Sequence, residues 1–279
     1  MKSCCFEVVK LKSIYIYPIK GLGGIALNEA VVLQKGLQYD RRMMLVDEQG
    51  VFISQRTFPN LSLFKLQSLS DGFSILFGEQ QIKIPFSFEG ELLPVRVWED
   101  EVQAIVAPYE INAWFSQQLN QSIRLVYMPE YATRAVDKKY ALQNEQVSFA
   151  DGYPILVIGE ASLHLLNSKL EESVLMDRFR PNLVLTDCEA HAEDELKIFA
   201  IGEVEFKGVK PCARCTVVTI NQQNAQQGSE PLKTLSTYRK VNNKVLFGQN
   251  VLCLQQGKIR VNQIVETTLS HDESSTAIN

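Results

Sequence analysis

The sequence predicts a mainly β protein with α (α+β), and three observations carry that expectation. Over roughly the first 105 residues apolar and polar positions alternate between frequent turn signals, the pattern of antiparallel strands with one solvated face. Helical spacing occurs in short stretches, such as the one from Pro108 to Asn120. A chain of 279 residues with 46% hydrophobic content can fill a sizeable core, as one large or two ordinary domains.

Taken in order, VVKLKSIYIYPIKG (8–21) reads as a strand that stops at Pro18 and Gly21. RRMMLVDEQGVFISQ (41–55) reads as a hairpin closing at Gln49-Gly50. KLQSLSDGFSILF (65–77) closes at Asp71-Gly72, an order that suits a type I′ turn because glycine tolerates positive φ. Short strands at this spacing argue for a barrel or a sandwich. In PYEINAWFSQQLN (108–120), Ile111, Trp114, Phe115 and Leu119 recur at helical spacing and predict a short amphipathic helix packed on that barrel. RLVYMPE returns to strand, and the polar, irregular EYATRAVDKKYALQNEQ marks an excursion or boundary near residues 130–145.

The second half opens with YPILVIGEASLHLLNSKL, a strand followed by a helix carrying Leu163, Leu166 and Leu170 on one face. Strands are expected in NLVLT, IFAIGEVEFKG and CTVVTI, a short helix in PLKTLSTYRK, and two final strands in VLFGQNVLCLQQGKIRVNQIVE. The polar end, TTLSHDESSTAIN, is expected to fray.

A formal charge of −4 and a pI near 5.6, with Lys and Arg scattered, argue against nucleic acid, so any bound anion must meet a local basic pocket. No stretch reaches the roughly 20 apolar residues that span a bilayer, and MKSCCFEVVK lacks the apolar run of a secretory signal, so the expected address is cytoplasmic, without a membrane partner. The six cysteines, Cys4, Cys5, Cys188, Cys212, Cys215 and Cys253, are too dispersed for a disulfide scaffold and are expected to be reduced.

KPCARCTVVTI (210–220) sets two thiols around an arginine. Structural zinc needs two further soft ligands, but Cys188 and Cys253 are isolated and His164, His191 and His271 form no ligand pair. A redox couple would open a helix, whereas β-branched residues follow here. Two readings stay open: buried inert thiols, or one thiolate on a soft metal already held by a cofactor, with Arg214 favouring deprotonation. The latter calls for anion-binding groups elsewhere. Lys20 ends a strand, Arg41 and Arg42 start another, and Arg178 and Arg180 precede a third, positions where side chains and free backbone N–H groups can meet a polyanion.

In this order, YPIKG, GLQYDRRMMLV, FADGYPILVIGEASLHLLN, FRPNLVL, CARC and LFGQN resemble the MOSC proteins, closest to the bacterial YcbX-like and mitochondrial amidoxime-reducing branch. The resemblance covers nearly the whole chain and implies a MOSC N-terminal β-barrel-like domain over 1–124, packed on a MOSC β-barrel domain over 125–267, with a flexible tail over 268–279. It implies a molybdenum cofactor, in which a pterin dithiolene supplies two sulfurs and Cys215 matches the molybdenum-ligating, catalytic thiolate. Cys212 then lies behind it. Lys20, Gly21, Arg41, Arg180 and Asn182 match pterin- or phosphate-contacting positions, and Arg214 and Asn250 line the same pocket by likeness. Asp151, Gly152 and Tyr153 fall in a matching loop. The chain departs from its mitochondrial relatives there, since they carry a small hydroxyl pair at Gly152-Tyr153, and also at Asn250, where they carry an aromatic.

The implied activity is reduction of N-hydroxylated small molecules to amines or amidines. The ferredoxin spacing that some bacterial relatives carry at their C-terminus is missing, so the electron donor is expected to be a separate protein: ferredoxin, flavodoxin, or a cytochrome b5-like protein with its reductase. The alternative is a molybdenum cofactor carrier, or a sulfur relay passing sulfane sulfur through Cys215.

Overall fold

The computed structural model describes residues 8–137, 139–141 and 145–267. The expected tail over 268–279, together with Cys4 and Cys5, lies outside the described residues.

The largest sheet has nine strands. Its path runs Val265–Thr267, Ile198–Ile201, Val204–Ala213, Lys244–Cys253, Ile155–Gly159, Leu183–Thr186, Lys10–Ile16 and Ile25–Leu27, with Lys240–Val241 pairing on Lys244–Cys253. Ile155–Gly159 and Leu183–Thr186 are parallel, which demands a crossover, and helix Glu160–Asn167 starts that connection. Leu163 and Leu166 are its buried face, with Leu170 packed beside them. The ladder is open, so the barrel expectation needs qualification. An isolated bridge between Lys10 and Ile264, with Leu11 N–H on Gln263 O at 2.9 Å and Val265 N–H on Val9 O at 2.8 Å, nevertheless brings the last strand back beside the first.

The two halves of the chain interlock. Lys10–Ile16 pairs with Leu183–Thr186, and Gly257–Arg260 pairs with Glu29–Leu33. A second sheet of five strands, in the order Leu92–Val97, Asp100–Val106, Arg124–Tyr127, Met43–Val46 and Ile19–Lys20, carries helix Tyr109–Leu119, whose Ile111 and Phe115 are buried. All four residues of Met43–Val46 are buried, because Met43 and Leu45 enter one core while Met44 and Val46 enter another. The period-2 alternation thus anchors this strand on both faces, each side chain contributing about 1.5–3 kcal/mol of burial.

Several expectations are corrected. Gly72 has no positive φ, so the second hairpin does not close on a type I′ turn. Glycine is needed because a Cβ there would sit 2.0 Å from Ile84 O, on the neighbouring strand. At Gln49-Gly50 the turn forms with Gly50 at φ +75°, but the returning arm is a single bridge, because Phe52 N–H goes to Arg96 O at 3.1 Å. CTVVTI is not a strand: Thr216–Thr219 is a 3₁₀ turn. Thr219 Oγ1 donates to Thr216 O at 2.7 Å and Val218 is buried with Phe179 and Phe247, so packing overrides β-propensity. The C-terminal stretch holds three strands rather than two. Among the described residues no helix is long and apolar enough to cross a membrane.

Candidate functional site

Strand Val204–Ala213 loses register between Pro211 and Ala213, where proline lacks a ladder donor, and a bulge of this kind re-aims the side chains that follow. The last ladder-like bond is Arg214 N–H to Val245 O at 2.8 Å, after which Cys215 opens the 3₁₀ turn with its side chain exposed. Cys212 is half-buried, and its Sγ accepts from Arg214 Nη1 at 3.2 Å. Arg214 Nη2 donates to Phe179 O at 2.7 Å, while its Nε is buried without a partner.

These groups line a cleft with a cavity volume of about 170 Å³. Each residue expected from the sequence lines it: Lys20, Gly21, Arg41, Asp151, Gly152, Tyr153, Arg180, Asn182, Arg214, Cys215 and Asn250. Arg56 joins them, so the wall carries the five cations Lys20, Arg41, Arg56, Arg180 and Arg214 against one carboxylate, Asp151. A chain of net negative charge therefore concentrates positive potential in one concavity. Arg42 and Arg178 turn elsewhere. Arg42 bonds Glu130 and Met128 O, both at 2.7 Å, and Arg178 Nη1 reaches Val218 O at 3.5 Å.

Lys20 sits in a two-residue strand parallel to Met43–Val46, its side chain 11% exposed. Its Nζ donates to Phe149 O at 2.8 Å and to Asp151 Oδ1 at 2.5 Å, 5.2 Å from the centre of the Phe52 ring. Burial pulls its pKa below the ordinary lysine value, and Asp151 opposes that pull. Desolvation alone would raise the Asp151 carboxyl, but the Lys20 ammonium and the Trp98 indole N–H, 3.2 Å away, hold it well below the usual carboxylate range. Its side chain is 75% exposed, so solvent weakens that pairing.

Arg41 and Arg180 both occupy the left-handed region, at φ +48° and +55°, a costly conformation for a non-glycine residue that persists where surrounding bonds over-determine it. Arg41 N–H donates to Tyr17 O, and Phe149 N–H donates to Arg41 O, each at 2.9 Å. Both guanidinium carbons lie over the Tyr17 ring, at 4.4 and 4.2 Å from its centre. Arg41 Nη1 bonds the fully buried Asp40 at 2.6 Å, and Arg180 Nη1 bonds Leu22 O at 2.7 Å. Burial pushes Arg180 down to about 10, which leaves it charged at neutral pH. Burial also pushes the Tyr17 phenol upward, so it stays neutral and its hydroxyl donates to Pro181 O at 3.1 Å.

Asn182 is 1% exposed and holds the floor together. Its Oδ1 accepts from Arg41 at 3.0 Å and Leu156 N–H at 3.2 Å, and its Nδ2 donates to Tyr15 O at 3.1 Å. Asn250 Nδ2 donates to Lys210 O at 3.2 Å. Gly21 needs glycine for its φ of +87°, whereas a Cβ at Gly152 would enter open space. The Tyr153 hydroxyl is buried without a partner.

Sequence reasoning missed the aromatic wall of Phe52 and Trp98, with ring centres 4.9 Å apart, and Arg56 stacked 4.3 Å from Trp98. Tyr17 and Asp40 stood inside quoted segments but drew no notice, although a tyrosine and an aspartate beside strand-end cations were a usable signal. Among the described residues no three His, Cys, Asp or Glu side chains converge as a metal cage. The geometry suits a polyanion on the cationic wall with Cys215 as the only exposed thiol among the described residues.

Comparison with known proteins agrees. Residues 8–122 match the MOSC N-terminal beta barrel domain, and residues 144–266 match the MOSC domain. The chain is 32% identical over 275 residues to mitochondrial amidoxime-reducing component 1 of Mus musculus, covering 91% of this chain and 81% of that protein. It is 30% identical to the same component of Danio rerio, over 90% of this chain and 82% of that one. Molybdenum cofactor sulfurase of Oryza sativa is 30% identical over 86% of this chain, which spans 32% of that longer protein. The cleft, the order of its motifs and these matches place the chain in the MOSC family.

Proposed function

We propose that this protein is an oxidoreductase that holds a molybdenum cofactor in the cleft and reduces N-hydroxylated small molecules, with electrons from a separate donor protein. The observation that carries the reading is the meeting of exposed Cys215 with five cations in one concavity. The residues fit such a group. Arg214 Nε and the Tyr153 hydroxyl are buried and unsatisfied, and unsatisfied donors of this kind are costly unless a ligand completes them.

Lys20, Arg41 and Arg180 would hold the anionic end of the cofactor by charge-assisted hydrogen bonds, and Cys215 would contribute one sulfur to the metal. When bound, the cofactor supplies the electron store and the oxygen acceptor for N–O cleavage. Arg214 places its guanidinium against the Cys212 sulfur and in the same cleft wall as Cys215. Phe52 and Trp98 supply an apolar wall that limits water at one side of the cleft. The amidoxime-reducing relatives support this reaction class.

The test is molybdenum content and benzamidoxime reduction with a chemical electron donor, for protein made in a cofactor-competent host. Wild type should carry molybdenum and turn over, while Cys215→Ser should lose turnover and most of the metal. Metal-loaded wild type without turnover overturns the reductase reading. Persulfide on Cys215 without metal would favour the second reading, a sulfur relay, which the exposed thiol and the sulfurase likeness support.

A further inference from the structure

The loop 148–151 is held by its carbonyls rather than by a sheet. Arg134, its side chain 4% exposed, donates from Nη1 to Ser148 O at 2.9 Å and Ala150 O at 2.5 Å, and from Nη2 to Asp151 O at 2.9 Å. Its Nε donates to Asp100 Oδ2 at 2.7 Å, two residues beyond Trp98. Lys20 takes the remaining carbonyl, that of Phe149. Two cations thus cap four successive carbonyls. Arg134 does not line the cleft. It belongs to the polar excursion after residue 130, which folds back on itself through Val147 N–H on Arg134 O at 2.9 Å and the bridge between Ala135 and Gln146.

Two consequences follow for the cleft. The hairpin tip carrying Trp98 and the loop carrying Asp151 are tied to one guanidinium, so the indole meets the carboxylate that Lys20 also holds. The backbone N–H groups of Asp151, Gly152 and Tyr153, at the end of the clamped loop, have no acceptor among the described residues, and no Cβ at Gly152 screens them. A run of free amides beside a cation is a built anion site. Only a planar fork of five donors can serve these four acceptors at once, which a lysine cannot do.

We propose that Arg134 is a positioning residue for the cleft: it sets the 148–151 loop so that Asp151 engages Lys20 and Trp98 while the Asp151–Tyr153 amides stay open to an anionic ligand. The identity of that ligand rests on the cofactor reading above; the positioning itself does not.

The test uses full-length protein with Trp114→Phe, which leaves Trp98 as the sole indole. In cofactor-free protein, Arg134→Lys should shift Trp98 emission to the red and increase its quenching by acrylamide, with far-ultraviolet circular dichroism unchanged. In cofactor-competent cells the same variant should lose molybdenum affinity on the order of 10-fold or more, as when groups behind a metal's direct ligands are removed. Asp100→Asn keeps the three carbonyl bonds and should stay near wild type in both readouts. Wild-type Trp98 behaviour in folded Arg134→Lys overturns the proposal, as does a lower melting temperature with both readouts unchanged. An Asp100→Asn variant as perturbed as Arg134→Lys also overturns it, since the ion pair rather than the carbonyl clamp would then place the loop. If Arg134→Lys does not fold, hydrogen exchange decides on the wild type: Asp151–Tyr153 amides should exchange fast without cofactor and slowly with it, and equal rates overturn the idea. Failure of molybdenum loading in every protein with the Trp98 shift intact sinks the cofactor reading alone.

Discussion

Asp40 carries the sharpest stability prediction. Its carboxylate is fully buried, accepts Tyr17 N–H at 2.8 Å through Oδ1, and pairs with Arg41 Nη1 at 2.6 Å through Oδ2. Arg41 is itself 13% exposed and shares the Tyr17 ring with a second buried cation, Arg180. Removing one partner of a buried pair strands the other charge and typically costs about 3–5 kcal/mol. In Asp40→Asn the amide oxygen still accepts from Tyr17, retaining one hydrogen bond of about 1 kcal/mol, so the loss should fall near 3 kcal/mol. Asp40→Ala loses both partners and should approach 5 kcal/mol. For a chain of this size the Asn variant corresponds to a melting temperature lower by about 5 °C. The assay is urea denaturation of cofactor-free protein, followed by circular dichroism. Molybdenum-loaded protein should show a smaller gap, because a bound polyanion supplies countercharge to Arg41 and Arg180. An Asn variant within about 1 kcal/mol of wild type refutes the reasoning, since Arg41 would then need no buried counter-ion.

Two further outcomes are expected. Gly72→Ala places a methyl 2.0 Å from Ile84 O and 2.8 Å from Pro85 Cα, so urea melts should show a loss of about 1–3 kcal/mol or more, whereas Gly152→Ala, facing open space, should change stability by no more than about 0.5 kcal/mol. Glu193 is 1% exposed, and burial raises its pKa above the ordinary 4.5 despite the Ser162 hydroxyl at 2.8 Å. Its favourable protonated state is complete below the unfolded pKa and is lost as pH rises through the raised folded one, so Glu193→Gln should gain on wild type at neutral pH and the gap should close below pH 4.5. A gap that does not vary with pH in a melting series contradicts this.

The legible part of the site was its chain-local chemistry. Cys215, Lys20, Arg41 and Arg180 stood at strand ends or beside turns, and the structure brings all four to one cleft. The two helices with clear 3.6-residue periodicity, Tyr109–Leu119 and Glu160–Asn167, formed with Ile111 and Phe115, and Leu163 and Leu166, buried. Where a local rule met a tertiary demand, the demand won. CTVVTI has β-branched residues throughout its middle, yet it forms a 3₁₀ turn from which Val218 packs into the cluster with Phe179 and Phe247. Gly72 looked like a turn glycine and is instead a close-approach glycine, a requirement imposed by a strand 12 residues later at Ile84.

What the sequence determined by itself was the mainly β class, the family, and the residue types available for chemistry, because apolar period, turn residues and short motifs are properties of neighbouring positions. Only the tertiary structure decided that Lys20 meets Asp151 across 131 residues, that Arg180 reaches Leu22 across 158, and that Arg134 grips the loop behind the cleft. Such pairings depend on sheet register and on which buried charge finds which carbonyl. Those are set by the packing of the whole core rather than by any local stretch of chain.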